Sequence, residues 1–400
     1  MSYDVARVRS AFPALRLGAA HFDGPGGSQV PQVVADAVAA TMTGGLANRG
    51  TVTEAEQRAE AVVRAARAAV ADLLGAEPGG VVFARSMTQA TFDLARTLAA
   101  SWGPGDEVVV TRLDHDANIR PWVIAAQAVG AEVRWVDFDK ESGELTVADV
   151  EAVLSERTRL VAVTAASNLI GTRPDVPAIV QAAHAVGALV HVDGVHLVPH
   201  APVDVTALGA DFFACSPYKF FGPHHGVTVA DPAVWERLQP AKLLPSSGAV
   251  PERFELGTLP YELLAGTTAA VDFIADLAAP ADLTRRERVL ASMAAAEEHE
   301  ERLFARLLDG LSALPRVTLH GSPRRRTPTA LFSVEGFTPA EVHAALAARG
   351  VNAPASSFYA LEASRWMGLG DAGAVRAGLA PYTDEAEVDR LVAGVAELAG

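Results

Sequence analysis

Leu189–Gly226, LVHVDGVHLVPHAPVDVTALGADFFACSPYKFFGPHHG, decides how the rest of the chain is read. It opens with an apolar run ending in Asp193, crosses irregularly to a second apolar run from Asp211 to Cys215, and then presents Lys219 in a turn. Short apolar runs bounded by Gly, Pro and polar residues fit parallel strands covered on both faces. An acid and a lysine are thereby expected at strand ends, where open α/β sheets place their ligands. Lys219 is also singled out by elimination. Only Lys140, Lys219 and Lys242 are lysines among the 33 basic residues. Lys140 falls in the polar turn DKESGE and Lys242 in a Pro-rich loop, whereas Lys219 is set between aromatics in SPYKFFGP. Three readings stay open for it on these grounds: a Schiff-base former, a phosphate clamp, or a core-edge lysine paired with an acid.

The VDGVH segment upstream bears on that choice. An amine that condenses with pyridoxal phosphate needs a carboxylate across the ring, because a protonated pyridine nitrogen makes the ring an electron sink. Asp193 closes the neighbouring strand and suits that place. On VDGVH and SPYKFFGP the sequence resembles the class V aminotransferases, fold type I pyridoxal phosphate enzymes, and within them the cysteine desulfurase-like branch. The resemblance covers nearly the whole chain. It implies an α/β fold, a mainly parallel seven-stranded sheet with helices on both faces plus a small α+β C-terminal domain. The large cofactor-binding domain is expected over 20–280 and the small domain over 1–19 and 281–400, with a boundary near Ala278–Asp282.

The same resemblance assigns roles along the chain, each beside an ordinary structural alternative. The turn GPGGS puts Gly26 and Gly27 beside the substrate pocket, although glycines commonly just shape a turn. Arg49, in the loop GGLANRG, matches an arginine that reaches the cofactor phosphate of a partner subunit. In VVFARSMTQATFDLARTLA a short strand, a polar turn and a helix follow one another. A helix N-terminus favours an anion through its free N–H groups and its dipole, and the family pattern gives Thr88 and the Met87 backbone the phosphate, with Gln89 adjacent. His115, in H-x-x-N, matches the histidine that stacks on the pyridine ring, and Asn118 braces that turn. Asn168 matches the asparagine that bonds the cofactor's phenolic oxygen. His196 replaces a frequent glutamine and Tyr218 a frequent histidine, while Ser216 remains as a phosphate ligand. Gly257 and Thr258 match a pair that touches the phosphate across a dimer interface. Arg376, in VRAGLAPYTDEAEVDRL, matches the clamp on the substrate carboxylate, with Arg365 shaping the pocket nearby. The implied assembly is a homodimer with shared active sites.

Composition narrows the partners. A formal net charge of −15 argues against nucleic acid and anionic membranes, which are bound by excess Lys and Arg. Small molecules are the expected clients. A single cysteine, Cys215, rules out an intrachain disulfide and any multi-cysteine metal site, so no metal is expected. The N-terminus has scattered charge and no signal-peptide core, and no run reaches the roughly 18 to 20 apolar residues of a membrane helix. A cytoplasmic location is therefore expected.

The cysteine count also bears on the reaction. Cysteine desulfurases carry a cysteine on a mobile loop of the small domain that becomes a persulfide. The corresponding loop, Asn352–Tyr359 (NAPASSFY), contains none. Cys215 lies in an apolar strand, where a buried thiol is normally inert packing. The resemblance thus implies a pyridoxal phosphate enzyme acting on an α-amino acid, with desulfurase-like or C–S lyase chemistry expected first. An aminotransferase, an epimerase or a decarboxylating C–C bond-forming enzyme is the alternative on this scaffold. A non-catalytic regulatory protein is the alternative of another class.

Overall fold

The computed structural model describes residues 3–400. Its centre is a seven-stranded sheet in the spatial order Val81–Ala84, Gly226–Val229, Phe212–Cys215, Leu189–Asp193, Thr158–Thr164, Glu107–Thr111, Glu132–Val136. Only Gly226–Val229 runs against its two neighbours; the last five strands are mutually parallel. Side chains alternate across a strand, and the core divides accordingly. Val109, Val161, Val163, Val190, Val192 and Phe213 face one layer with Val63, Val70 and Ile179. Val108, Val110, Leu160, Ala162 and Phe212 face the other, with Leu94, Leu98 and Trp122. Both faces are dry, which is why these strands read as unbroken apolar runs.

Two segments differ from the sequence expectation. Gly226–Val229 was not anticipated as a strand. Its four residues are fully buried between two antiparallel neighbours, and the glycine-histidine turn before it masked the run. In TVADVEAVLSE, whose apolar spacing favours a helix throughout, the helix covers only Val147–Glu151. Beyond it, Val153 and Leu154 turn back on Val150 and Glu151, and Thr158 Oγ1 accepts from the Ser155 amide.

A second core lies around an antiparallel sheet ordered Ala355–Ser356, Ala374–Gly378, Thr329–Val334, Val317–His320. Leu303, Leu307 and Leu311 of the long helix Arg285–Ser312 cover it, together with Val388, Leu391 and Val395 of the helix Glu385–Ala399. Thr284 and Asp384 start these two helices through capping boxes with Glu287 and Glu387. Ala20–His21 pairs with Val351–Asn352, and Ala20 and Phe22 pack in this smaller core. Val8, Phe12 and Leu15, just before them, pack in the larger one. No helix among the described residues is long and apolar enough to cross a membrane.

Candidate active site

The carboxyl ends of the central strands and the edge of the small sheet enclose a cavity of about 690 Å³. Asp193 ends its strand, and Lys219 follows the end of the next one. Lys219 is displayed by a tight turn in which Pro217 opens a 3₁₀ segment and the Gly222 amide returns to the Pro217 carbonyl at 2.9 Å. Its Nζ donates to the Pro25 carbonyl. Burial, reinforced by the nearby Arg376 charge, lowers the Lys219 pKa to about 7, against the opposing pull of Asp23 and Asp193. A good fraction of the amine is therefore neutral, and nucleophilic, near pH 7.

Asp193 is buried, and burial raises its carboxyl to about 6 although the Val195 amide donates to Oδ1 at 2.9 Å. A cation facing it would keep it ionised. His115 accepts from the Ala117 amide through Nδ1 at 3.0 Å, which leaves Nε2 to carry the proton of the neutral ring. Burial and Lys219 depress its pKa to about 4. The turn that presents His115 rests on a buried network. Asn118 Nδ2 donates to Asp114 at 2.6 Å, while Asn118 Oδ1 accepts from Trp122 and lies 2.8 Å from His191 Nδ1.

At the opposite end, Ser86 caps the helix Met87–Ala99 by accepting the Gln89 amide at 3.1 Å. The amides of Met87 and Thr88 head the helix, where no intrahelical acceptor exists. This turn packs directly on Gly226, where an added Cβ would lie 2.2 Å from the Ser86 carbonyl carbon. Ser216 lines the same cavity.

Eleven expected residues meet there: Gly26, Met87, Thr88, His115, Asn168, Asp193, His196, Ser216, Tyr218, Lys219 and Arg376. Several are engaged differently from their expected roles. Asn168 Nδ2 donates to the Phe358 carbonyl at 2.8 Å, leaving its Oδ1 buried and unpartnered. His196 Nε2 lies 3.0 Å from the hydroxyls of Thr327 and Thr329, and its Nδ1 is buried and unpartnered. Arg376 rises from the small sheet, pairs with Asp23 at 2.7 Å and donates to the Asn168 carbonyl at 2.8 Å. Its Nε has no partner. The amides of Gly26 and Gly27 both donate to the Asp23 carbonyl, so neither is free for a bound carboxylate. At Gly27 an added Cβ would lie 3.3 Å from Tyr218 Cδ2.

The other expected residues stand outside this lining. Gln89 spends its amide on the cap. Arg365 is exposed and forms a forked pair with Asp371 at 2.6 and 3.0 Å. Arg49 bridges Glu60 and Glu252 at 2.8 and 3.1 Å, and Gly257 and Thr258 are exposed. Sequence reading passed over Asp23, Arg120, Phe358 and Tyr359, which do line the cavity. Nothing local to Asp23 or to SSFY shows that they meet Arg376 and His115 across more than 300 and 200 positions.

Pyridoxal phosphate fits this set of groups. Unpaired helix-terminal amides and Ser216 suit the phosphate, Asp193 suits the pyridine nitrogen, His115 offers a ring face, and a neutral lysine amine faces the same space. Comparison with known proteins agrees. The family model for class V aminotransferases matches residues 20–391. The chain belongs to the class V aminotransferase family. It is similar to the uncharacterized protein MT3887 of Mycobacterium tuberculosis, 38% identical with all of both chains covered. It is 32% identical to the cysteine desulfurase of Pectobacterium atrosepticum, covering 99% of this chain and 98% of that protein. In structure it resembles the cysteine desulfurase CsdA of Escherichia coli, with a TM-score of 0.87 at 26% identity and complete coverage of both chains. This class V family member is accordingly a pyridoxal phosphate-dependent enzyme of lyase or transferase type on the fold type I scaffold.

Proposed function

We propose that this enzyme acts on an α-amino acid through Lys219 and cleaves a C–S bond without storing sulfur on the protein. The carrying observation is the state of the one cysteine. Cys215 is fully buried in the strand Phe212–Cys215, and burial, with Asp193 nearby, pushes its thiol far above the ordinary range. A carrier of persulfide must be a thiolate and must move.

The cofactor, when bound, supplies the electron sink that makes the substrate Cα–H acidic. The chain's own groups do the rest. Arg376 offers its unpartnered Nε edge to the substrate carboxylate, and Asp23 keeps the guanidinium in place. Asp193 keeps a negative charge opposite the pyridine end. Lys219, with its lowered pKa, takes the proton from the substrate α carbon and returns it where the bond breaks. Sulfur then leaves to solvent as a thiol or sulfide. We further propose a cytoplasmic homodimer, in which Arg49, Gly257 and Thr258 serve the partner's cavity. That none of the three lines the cavity of its own chain, and that Gly257 and Thr258 are exposed, supports this.

Borohydride treatment of purified protein should fix the cofactor on Lys219, and Lys219→Ala should fold yet carry no such adduct. Asp193→Ala should cost about three or more orders of magnitude in turnover while keeping the adduct. With a thiol-bearing amino acid, elimination and hydrolysis by water should accumulate sulfide, ammonia and a keto acid. A stoichiometric persulfide on Cys215, seen by intact mass, would overturn the reading.

A further inference from the structure

Two consecutive bulky residues of the Asn352–Tyr359 loop hold a backbone conformation that non-glycine residues avoid: Phe358 has φ 53° and Tyr359 φ 57°. They persist there because the large domain grips both carbonyls. Asn168 Nδ2 donates to the Phe358 carbonyl at 2.8 Å, and the Asp116 amide to that of Tyr359 at 2.7 Å. The result aims two rings at the cavity. Phe358 lies face-on to the Arg376 guanidinium, 3.7 Å from its carbon to the ring centroid. Tyr359 lies nearly parallel to His115, with centroids 5.5 Å apart and planes 23° apart, and is itself 75% exposed.

The charges at this end of the cavity are already matched. Arg120 pairs with Asp116 at 2.8 Å and with Glu362 at 3.2 Å, Glu362 also holds Arg112 at 3.1 Å, and Asp23 is taken by Arg376. A charged side chain entering here would meet Arg120, Asp116 and Glu362 already paired with one another, whereas an uncharged one would meet aromatic faces. Phe92 and Pro354 also line the cavity.

We propose that Phe358 and Tyr359 select the substrate side chain, favouring α-amino acids with neutral aromatic or apolar side chains over acidic or basic ones. This rests on the function proposed above, since it takes the substrate carboxylate to dock on Arg376 beneath Phe358. A substrate anchored there carries its side chain past the two rings. The pair occupies the loop that would otherwise bear a sulfur carrier, so a binding surface stands in place of a reactive group.

The test is titration of the holoenzyme with phenylalanine, methionine, glutamate and lysine, reading dissociation constants from the cofactor's absorption change. Wild type should bind the first two at least about tenfold more tightly than the charged pair, the size of one or two aromatic contacts. Phe358→Gly and Tyr359→Gly delete each ring while keeping the left-handed backbone that glycine tolerates. Each should compress the preference to about threefold or less with unchanged cofactor content. Equal or tighter binding of glutamate or lysine by wild type overturns the proposal, as does an undiminished preference in both variants. Failure of the underlying reading looks different: purified protein with no cofactor absorption fixable on Lys219 would remove both.

Discussion

Lys219 gains its reactivity from its surroundings rather than from its own chemistry. An exposed lysine is almost wholly protonated at neutral pH, but burial and the Arg376 charge bring this amine to about 7. The sign follows directly, since lowering the pKa enlarges the neutral, nucleophilic fraction at a given pH. Capture of added pyridoxal phosphate by cofactor-free protein should therefore accelerate from pH 6 to pH 8 and level off above. Stopped-flow absorbance would check this. A rate still climbing steeply at pH 9 would mean an unperturbed lysine. Asp23 has a comparable influence on Arg376, which it pairs at 2.7 Å inside the cavity. Neither effect belongs to a residue type; both depend on which charges the fold brings near.

Among the elements, the strand Phe212–Cys215 shows how a reactive residue type becomes structural. Cys215 packs with Val227 and Phe220 in the larger core and pairs in register with Val227 of the adjoining strand. Cys215→Ser would place a hydroxyl in that layer. It should lower stability by about 1–3 kcal/mol, read as a shift in the urea midpoint, while most activity is kept. Loss of activity without loss of stability would return Cys215 to the chemistry. The loop ending at Tyr359 makes the complementary point. Its anchoring comes from Asn168 and Asp116, on other elements, and the following helix Leu361–Trp366 is tied down through Glu362 to Arg112 and Arg120.

At the scale of the whole molecule, the cavity is closed only because two cores meet. Lys219 and Asp193 come from the large sheet, Arg376 from the small one, and Asp23 from the turn between them. A third contribution is expected from a second copy. The Tyr261 hydroxyl accepts the Arg49 amide at 3.3 Å, Gly257 and Thr258 shortly precede Tyr261 in the chain, and none of the three lines the cavity of its own chain. Light scattering should report twice the chain mass. Mixing Lys219→Ala with Arg49→Ala subunits should restore activity absent from either alone, since one site of each hybrid then has both residues intact. An active monomer would refute the shared site. Arg49 is already neutralised by Glu60 and Glu252, so its loss should also loosen the helix Glu54–Leu74.

Much of this protein was legible in its sequence, and the reason is local. Strands buried on both faces must be apolar throughout, so Leu189–Asp193 and Phe212–Cys215 announce themselves, and the acid and the lysine at their ends follow from chain continuity. Helix starts such as Thr53, Thr284 and Asp384 are equally visible because a cap needs only residues three apart. Sequence also supplied eleven of the residues that line the cavity, through motifs that keep each on a particular strand end or turn. What only the tertiary structure decided is how those residues spend their bonds. That Asp23 occupies Arg376, that Asn168 holds the Phe358 carbonyl, and that the Asp116 amide holds the Tyr359 carbonyl all depend on pairs separated by up to 353 positions. Hydrogen bonds and charge interactions act over a few ångströms of space, and spacing along the chain carries no record of which distant groups the folding of two cores will bring within that reach.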